Sequence, residues 1–322
     1  MSSELKGSAP SDPTPPDRSA ASPQDDATAI VVHRPDGALI HADVWRPPTK
    51  GGSAGAATPT IVILDGIGCS GWAFRRIIPY LSRRREVVMV HYRGHGASPT
   101  PPRPWRLGMD VLADDAAAVI ERLDCGPILI VGFSMGFEVT IELVSRRPDL
   151  VAAVVNIAGP AGRALDQFQG TDAFGQVLPF LASAARSARR LSHDLWRRFV
   201  PHKIAKEIGL RTQVNTRRLT MDDFDLYMQQ LAEVNPELFL TLLEHAHTYD
   251  GHEALGHFAV PTLVLAGEKD RFVPIEKLRE VAFAIPGAQW QVLAEATHAL
   301  PAEFPLEVAQ FVERFADGVG QP

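Results

Sequence analysis

The chain has 322 residues, 45% hydrophobic and 22% charged, with a formal net charge of −6. This allows one large α/β domain with an insertion, or two small domains, and gives no electrostatic reason to expect nucleic acid or an anionic membrane as partner. Two cysteines, Cys69 and Cys125, are too few for a disulfide framework and are expected as free thiols.

Residues 1–26 are rich in Ser, Pro, Ala and Asp and lack the basic start and apolar run of a secretory signal. Such a stretch buries too little apolar surface to offset its ordering entropy, so a flexible tail is expected. No apolar run reaches the roughly 18 residues that span a bilayer, and a cytoplasmic protein is expected. Two β-like runs follow, Ala29–Val32 and Leu39–Trp45, joined by the turn signal Pro35-Asp36-Gly37. A Pro/Gly/Ala loop leads to Thr60–Leu64, whose continuous apolar character suits a strand buried on both faces.

The pattern then alternates. A helix over about Trp72–Arg83 precedes a strand at Val87–His91, and a helix from Asp110 to Leu123 precedes a strand at Ile128–Val131. A helix from Met135 to Arg146 and a strand at Val151–Ile157 come next. Strands alternating with helices predict parallel β-α-β units in a doubly wound sheet. From Gly162 to Gly256 only helical spacing is seen, in pieces near Phe174–Leu191, His193–Ile208, Met221–Val234 and Pro236–Thr248. Their Leu and aromatic stripes are expected to be core, some lining a pocket. The basic clusters Arg83-Arg84-Arg85 and Arg197-Arg198 are expected as solvated helix faces. Strand spacing returns at Thr262–Ala266 and Gln289–Leu293, with helices from Ile275 to Ala284 and from Pro305 to Phe315. The expected organisation is a tail (1–26), an α/β core in two parts (27–161 and 257–318) and an inserted helical block (162–256).

The chemistry-bearing residues fall at strand ends. Gly132-Phe133-Ser134-Met135-Gly136 directly follows one strand and directly precedes a helix. A serine on such a turn takes strained backbone angles and exposes its hydroxyl at the carboxyl edge of the sheet. A serine hydroxyl needs a base. His298, in the loop between the last strand and the last helix, is the candidate among 11 histidines. The base needs an orienting carboxylate. Asp270, just past Thr262–Ala266, is preferred, with Glu268 as its rival. The oxyanion needs two backbone donors, assigned to Met135 and to Ile67 in the turn Asp65-Gly66-Ile67-Gly68. His245, His247, His252 and His257 lack the Cys or paired carboxylates that would complete a metal set, and no metal is expected.

These residues resemble the α/β-hydrolase superfamily, in its cap-bearing esterase, lipase and haloperoxidase-like branch. The resemblance covers nearly everything from Ala29 to Phe315 except the inserted block. Besides the G-F-S-M-G elbow, His91-Tyr92-Arg93-Gly94-His95-Gly96-Ala97-Ser98 is similar to the family's Arg-Gly-x-Gly-x-Ser loop. Gly267-Glu268-Lys269-Asp270-Arg271-Phe272-Val273-Pro274 is similar to its acid loop. The resemblance implies an α/β-hydrolase fold with a helical cap, and a structural role for His95. Asp65 stands where the family has histidine. A carboxylate facing the oxyanion would oppose its charge, so Asp65 is expected to point away and hold the loop.

The function expected is hydrolysis of an apolar small-molecule ester, lactone or thioester through an acyl-enzyme, with no metal or organic cofactor. Carbon–carbon bond hydrolysis, acyl transfer to another acceptor and cofactor-free perhydrolysis use the same triad. A non-catalytic ligand receptor on the same fold is the remaining alternative.

Overall fold

In a computed structural model, residues 27–48, 59–163, 165–166, 170–200, 202 and 215–319 are described, and the tail expected over residues 1–26 lies outside them. Eight strands form one sheet in the order β1-β2-β4-β3-β5-β6-β7-β8. They are β1 (Thr28–His33), β2 (Leu39–Trp45), β3 (Ile61–Leu64), β4 (Val87–Val90), β5 (Ile128–Phe133), β6 (Val151–Ile157), β7 (Thr262–Gly267) and β8 (Gln289–Leu293). The first two strands pair antiparallel, as does β2 with β4. The other pairs are parallel. This is the mostly parallel doubly wound sheet that the alternation predicts.

The central strands are apolar throughout because helices cover both faces. Side chains alternate between two cores with the period of two that a strand imposes. Ile61, Ile63, Leu129, Val131 and Phe133 pack on one side with Phe74, Leu81 and, from the last helix, Val308 and Val312. Val62, Leu64, Ile128 and Ile130 pack on the other with Leu112, Ala116, Ile120, Val139 and Leu143. The Met109–Leu123 and Met135–Arg146 helices supply this second layer.

The helix expected over Trp72–Arg83 is broken into a 3₁₀ turn, Trp72–Phe74, and a short helix, Ile78–Leu81. Pro79 explains the restart, since proline lacks an N–H and is at home only in a helix's first turn. The basic run after it also departs from expectation. Arg83 and Arg84 are exposed, but Arg85 is buried and paired with Asp317.

Between β6 and β7 the described residues contain helices at Ala173–Ser187, Arg189–Phe199, Met221–Glu233, Pro236–Thr248 and His252–Leu255. The helix expected at His193–Ile208 starts earlier, at Arg189, and its second half lies outside the described residues. Asn235 caps the Pro236–Thr248 helix by accepting from the amides of Glu237 and Leu238, with Pro236 in the first turn. Two anchors tie the insertion to the sheet domain. Arg75 and Arg76 both pair with the buried Asp223, and Trp72 packs on Tyr227 with ring centroids 5.0 Å apart.

Candidate active site

Each proposed side chain sits just beyond the carboxyl end of a parallel strand. Ser134 follows β5 directly, with φ 52° and ψ −125°, a conformation that a non-glycine residue keeps only when its surroundings enforce it. Its amide donates to the Ile157 carbonyl at 3.0 Å, and its carbonyl accepts from Phe137 at 2.9 Å. The flanking glycines are required by space. A Cβ on Gly136 would lie 2.0 Å from the Leu64 carbonyl oxygen, and one on Gly132 would lie 2.6 Å from Thr140 Oγ1.

His298 Nε2 lies 2.9 Å from Ser134 Oγ, and its Nδ1 lies 2.8 Å from Asp270 Oδ2. A carboxylate only accepts, so Nδ1 carries the proton and Nε2 is free to accept from the serine hydroxyl. The other oxygen of Asp270 accepts from the amides of Phe272 and Val273 at 2.8 and 3.0 Å. Solvent access is graded. The Asp270 side chain is 0% exposed, His298 is 13% exposed, and Ser134 is half-buried. Phe272 stacks on the imidazole at 4.8 Å between centroids, and Phe133 packs against it at 5.4 Å. The rival acid, Glu268, is exposed and accepts from the Glu295 amide at 3.0 Å.

The Asp65–Gly68 turn leaves β3 beside Ser134. A Cβ on Gly66 would lie 3.3 Å from Ser134 Cβ. Asp65 is buried beneath this turn. Its two oxygens accept from Gly66 and Gly71, both at 2.8 Å, so each oxygen is turned to the loop's own backbone. Burial pushes its carboxyl up to about 6, against the pull of those two bonds. His95 braces the loop from the other side. Gly68 N–H donates to its Nε2 at 3.1 Å, so Nδ1 is the protonated nitrogen and donates to the Arg93 carbonyl at 3.0 Å. Burial lowers the imidazole to about 4 and keeps it neutral. Neither the Ile67 nor the Met135 amide has a hydrogen-bond partner among the described residues.

Cys69 is buried nearby, with its sulfur accepting from the Trp72 indole at 3.2 Å. Burial drives its thiol well above the ordinary value, which suits a packing role rather than a nucleophile. Among the described residues no group of three or more His, Cys, Asp or Glu side chains could hold a metal.

Glu303, which the motif reading missed, belongs to this site. Its buried carboxylate accepts from the Thr297 amide at 2.8 Å and from the Thr297 hydroxyl at 2.6 Å. A third bond, 2.6 Å from the Asn215 amide, ties the same carboxylate to the insertion, just before its Met221–Glu233 helix. It thus clamps the residue before His298. A Thr-His pair followed five residues later by Glu is too common a spacing to have signalled it.

The insertion closes over the Asp65–Gly68 turn. A Cβ on Gly68 would lie 2.7 Å from Leu231 and 3.0 Å from Phe239, and Ile67 packs, as Phe239 does, against the buried cluster Leu165, Leu178 and Leu243. Gln230 fixes the approach, accepting from the Ser70 amide at 3.2 Å and donating to its carbonyl at 3.0 Å.

The sheet order, the elbow and the motif loops define an α/β-hydrolase. A family model described as alpha/beta hydrolase fold matches residues 59–305, and the chain belongs to that family; it is an enzyme of the hydrolase class. It is 25% identical over 271 residues to the sn-1-specific diacylglycerol lipase ABHD11 of Danio rerio, a match covering 81% of this chain and 79% of that protein. It is 35% identical over 124 residues to the magnesium-chelatase 30 kDa subunit of Rhodobacter capsulatus. That match covers 38% of this chain and only 40% of that protein's length. Among solved structures it is similar to a thermophilic esterase from Thermogutta terrifontis, with TM-score 0.72 at 20% identity, covering 92% of this chain and 99% of that one.

Proposed function

We propose that the protein is a serine hydrolase that cleaves a carboxylic ester, lactone or thioester through an acyl-enzyme on Ser134. The reading is carried by the continuous hydrogen-bonded path from Ser134 Oγ through His298 to a fully buried Asp270.

Ser134 Oγ attacks the substrate carbonyl while His298 Nε2 takes its proton. Asp270 stabilises the imidazolium through Nδ1. The amides of Met135 and Ile67 donate to the oxyanion, and Asp65, turned into the loop beneath, holds the second donor in place. The protonated His298 then gives its proton to the leaving alcohol or thiol, and the C–O or C–S bond breaks. Water, deprotonated by His298, attacks the acyl-enzyme and releases the acid. The cycle uses side chains, backbone amides and water alone. The inserted helices act as a cap, and the apolar contacts of Ile67, Leu231 and Phe239 around the turn favour a neutral, apolar acyl group. Similarity to a lipase and an esterase supports an ester as the scissile group.

A short-chain nitrophenyl ester assay on wild type and Ser134→Ala tests the reading. Wild-type turnover that falls by roughly 10⁴-fold or more in the variant is expected. Turnover that survives the substitution, or none in wild type alongside tight ligand binding, would overturn it in favour of another nucleophile or a receptor. Lactone and thioester panels then rank the scissile groups.

A further inference from the structure

The helices Ala173–Ser187 and Arg189–Phe199 each carry apolar residues on a side that no part of the described structure covers. On the first, Leu178, Ala182 and Ala185 form the buried stripe. Val177, Phe180 and Leu181 form a second stripe, exposed to 48%, 77% and 39%. At about 100° per residue the two stripes point roughly 110° apart. On the second helix, Leu191, Leu195 and Phe199 recur at the i, i+4, i+8 spacing and are exposed to 60%, 57% and 58%. Trp196 of that helix instead points inward, with its indole donating to the Leu231 carbonyl at 3.0 Å. Side chains of this size are seldom left in water in such numbers on two successive helices.

The surrounding charge says what covers them. Residues 173–199 contain five arginines and one acidic residue, Asp194, in a chain whose net charge is −6. Arg186 and Arg189 pair with Glu244 and Glu237 of the neighbouring helix. Arg190, Arg197 and Arg198 are exposed and have no ion-pair partner among the described residues. At about 100° per residue Arg198 borders the Leu191–Leu195–Phe199 stripe, and Arg190 and Arg197 lie on the opposite face. A helix with one apolar face and an arginine-rich polar face suits an interface where an apolar layer lies beneath an anionic one.

We propose that these two helices dock on the surface of an anionic lipid bilayer. Phe180 and Phe199 enter the acyl boundary, and Arg190, Arg197 and Arg198 meet headgroup phosphates. No helix among the described residues is long and apolar enough to cross a membrane, so contact is interfacial. The proposal does not rest on the ester reading, because binding is read without turnover.

The test is co-sedimentation of the full chain with vesicles of phosphatidylcholine alone or containing about 30% phosphatidylglycerol. Binding is expected to the anionic vesicles, weakening with salt. The Phe180→Ser/Phe199→Ser variant should bind on the order of 100-fold more weakly. Arg197→Gln and Arg198→Gln should each lose about fivefold, on anionic vesicles only. Melting temperature should stay at the wild-type value, which separates lost docking from lost folding. Equal binding to both vesicle types, or no effect of the variants, would overturn the proposal. So would a dimer in solution that the Phe180→Ser/Phe199→Ser variant splits, since a second copy would then be the occupant.

Discussion

The carboxyl rim of the sheet and the outer surface of the insertion obey opposite rules. At the rim every polar atom of the Ser134, His298 and Asp270 side chains has a partner, the helper residues Glu303 and His95 are buried, and Gly132 and Gly136 leave no room for a Cβ. On the insertion, apolar side chains such as Phe180 and Phe199 face outward, and Arg190, Arg197 and Arg198 have no ion-pair partner among the described residues. Rim geometry is enforced by the sheet behind it, since parallel strands place their ends side by side whatever the loops contain. The insertion hangs on a few anchors, and its outer face is left to meet something else.

The largest expected effect tests the rim. Asp270→Asn should lower ester kcat by about 10³–10⁴-fold while barely moving the melting temperature, because it removes the acceptor that sets the imidazole tautomer. Glu268→Gln should leave kcat within about threefold of wild type. Equal losses from both would erase the distinction between the buried and the exposed acid.

Next comes a contrast within one helix. Leu178 is fully buried and Phe180 is 77% exposed. Leu178→Ala should cost about 2–5 kcal/mol in denaturant unfolding, and Phe180→Ser less than about 0.5. Similar costs would mean that the outer face is packed.

Two buried acids give smaller effects of predictable sign. Glu138, one turn into the elbow helix, is wholly buried, and neither carboxyl oxygen has a partner among the described residues. Burial drives its carboxyl well above the ordinary value. Glu138→Met removes an unsatisfied polar group and should raise stability by about 1–3 kcal/mol in urea unfolding at pH 7. For Asp65 the folded value near 6 exceeds the ordinary 3.8, so its stabilisation is complete below about pH 4 and is lost as pH rises through 6. His95, lowered to about 4, acts the other way and gains stability over the same range. In Asp65→Asn only the His95 trend remains of this pair, so melting temperature should climb more steeply from about pH 4 to 6 than in wild type. Parallel curves would show that Asp65 titrates normally. If Asp65→Ala instead raised ester turnover well above wild type, the carboxylate would be facing the oxyanion after all.

Much of the rim was legible because its constraints are local. A Gly-x-Ser-x-Gly run between an apolar strand and a helix admits few structures, and Ser134, Asp270 and His298 come together as their strand ends predict. Asp65, a departure from the family pattern, could be read by charge alone. Glu303 could not be found, since its partner Thr297 is identified only by folding. The inserted block was read by periodicity, which located the Pro236–Thr248 helix well. Periodicity does not say which of two apolar stripes turns inward. Leu191, Leu195 and Phe199 were therefore expected in a core and lie in solvent, whereas Arg85, expected in solvent, is buried. For such residues the deciding interaction is made with distant parts of the chain.

The imidazole of His298 has two nitrogens in unlike settings. Nδ1 faces a sealed carboxylate, and Nε2 faces the half-open serine. An alkylating reagent that reaches His298 can therefore mark the ring at Nε2 alone, and a heteronuclear NMR spectrum of the labelled imidazole showing substitution at that nitrogen would map the open side of the site without any substrate being known.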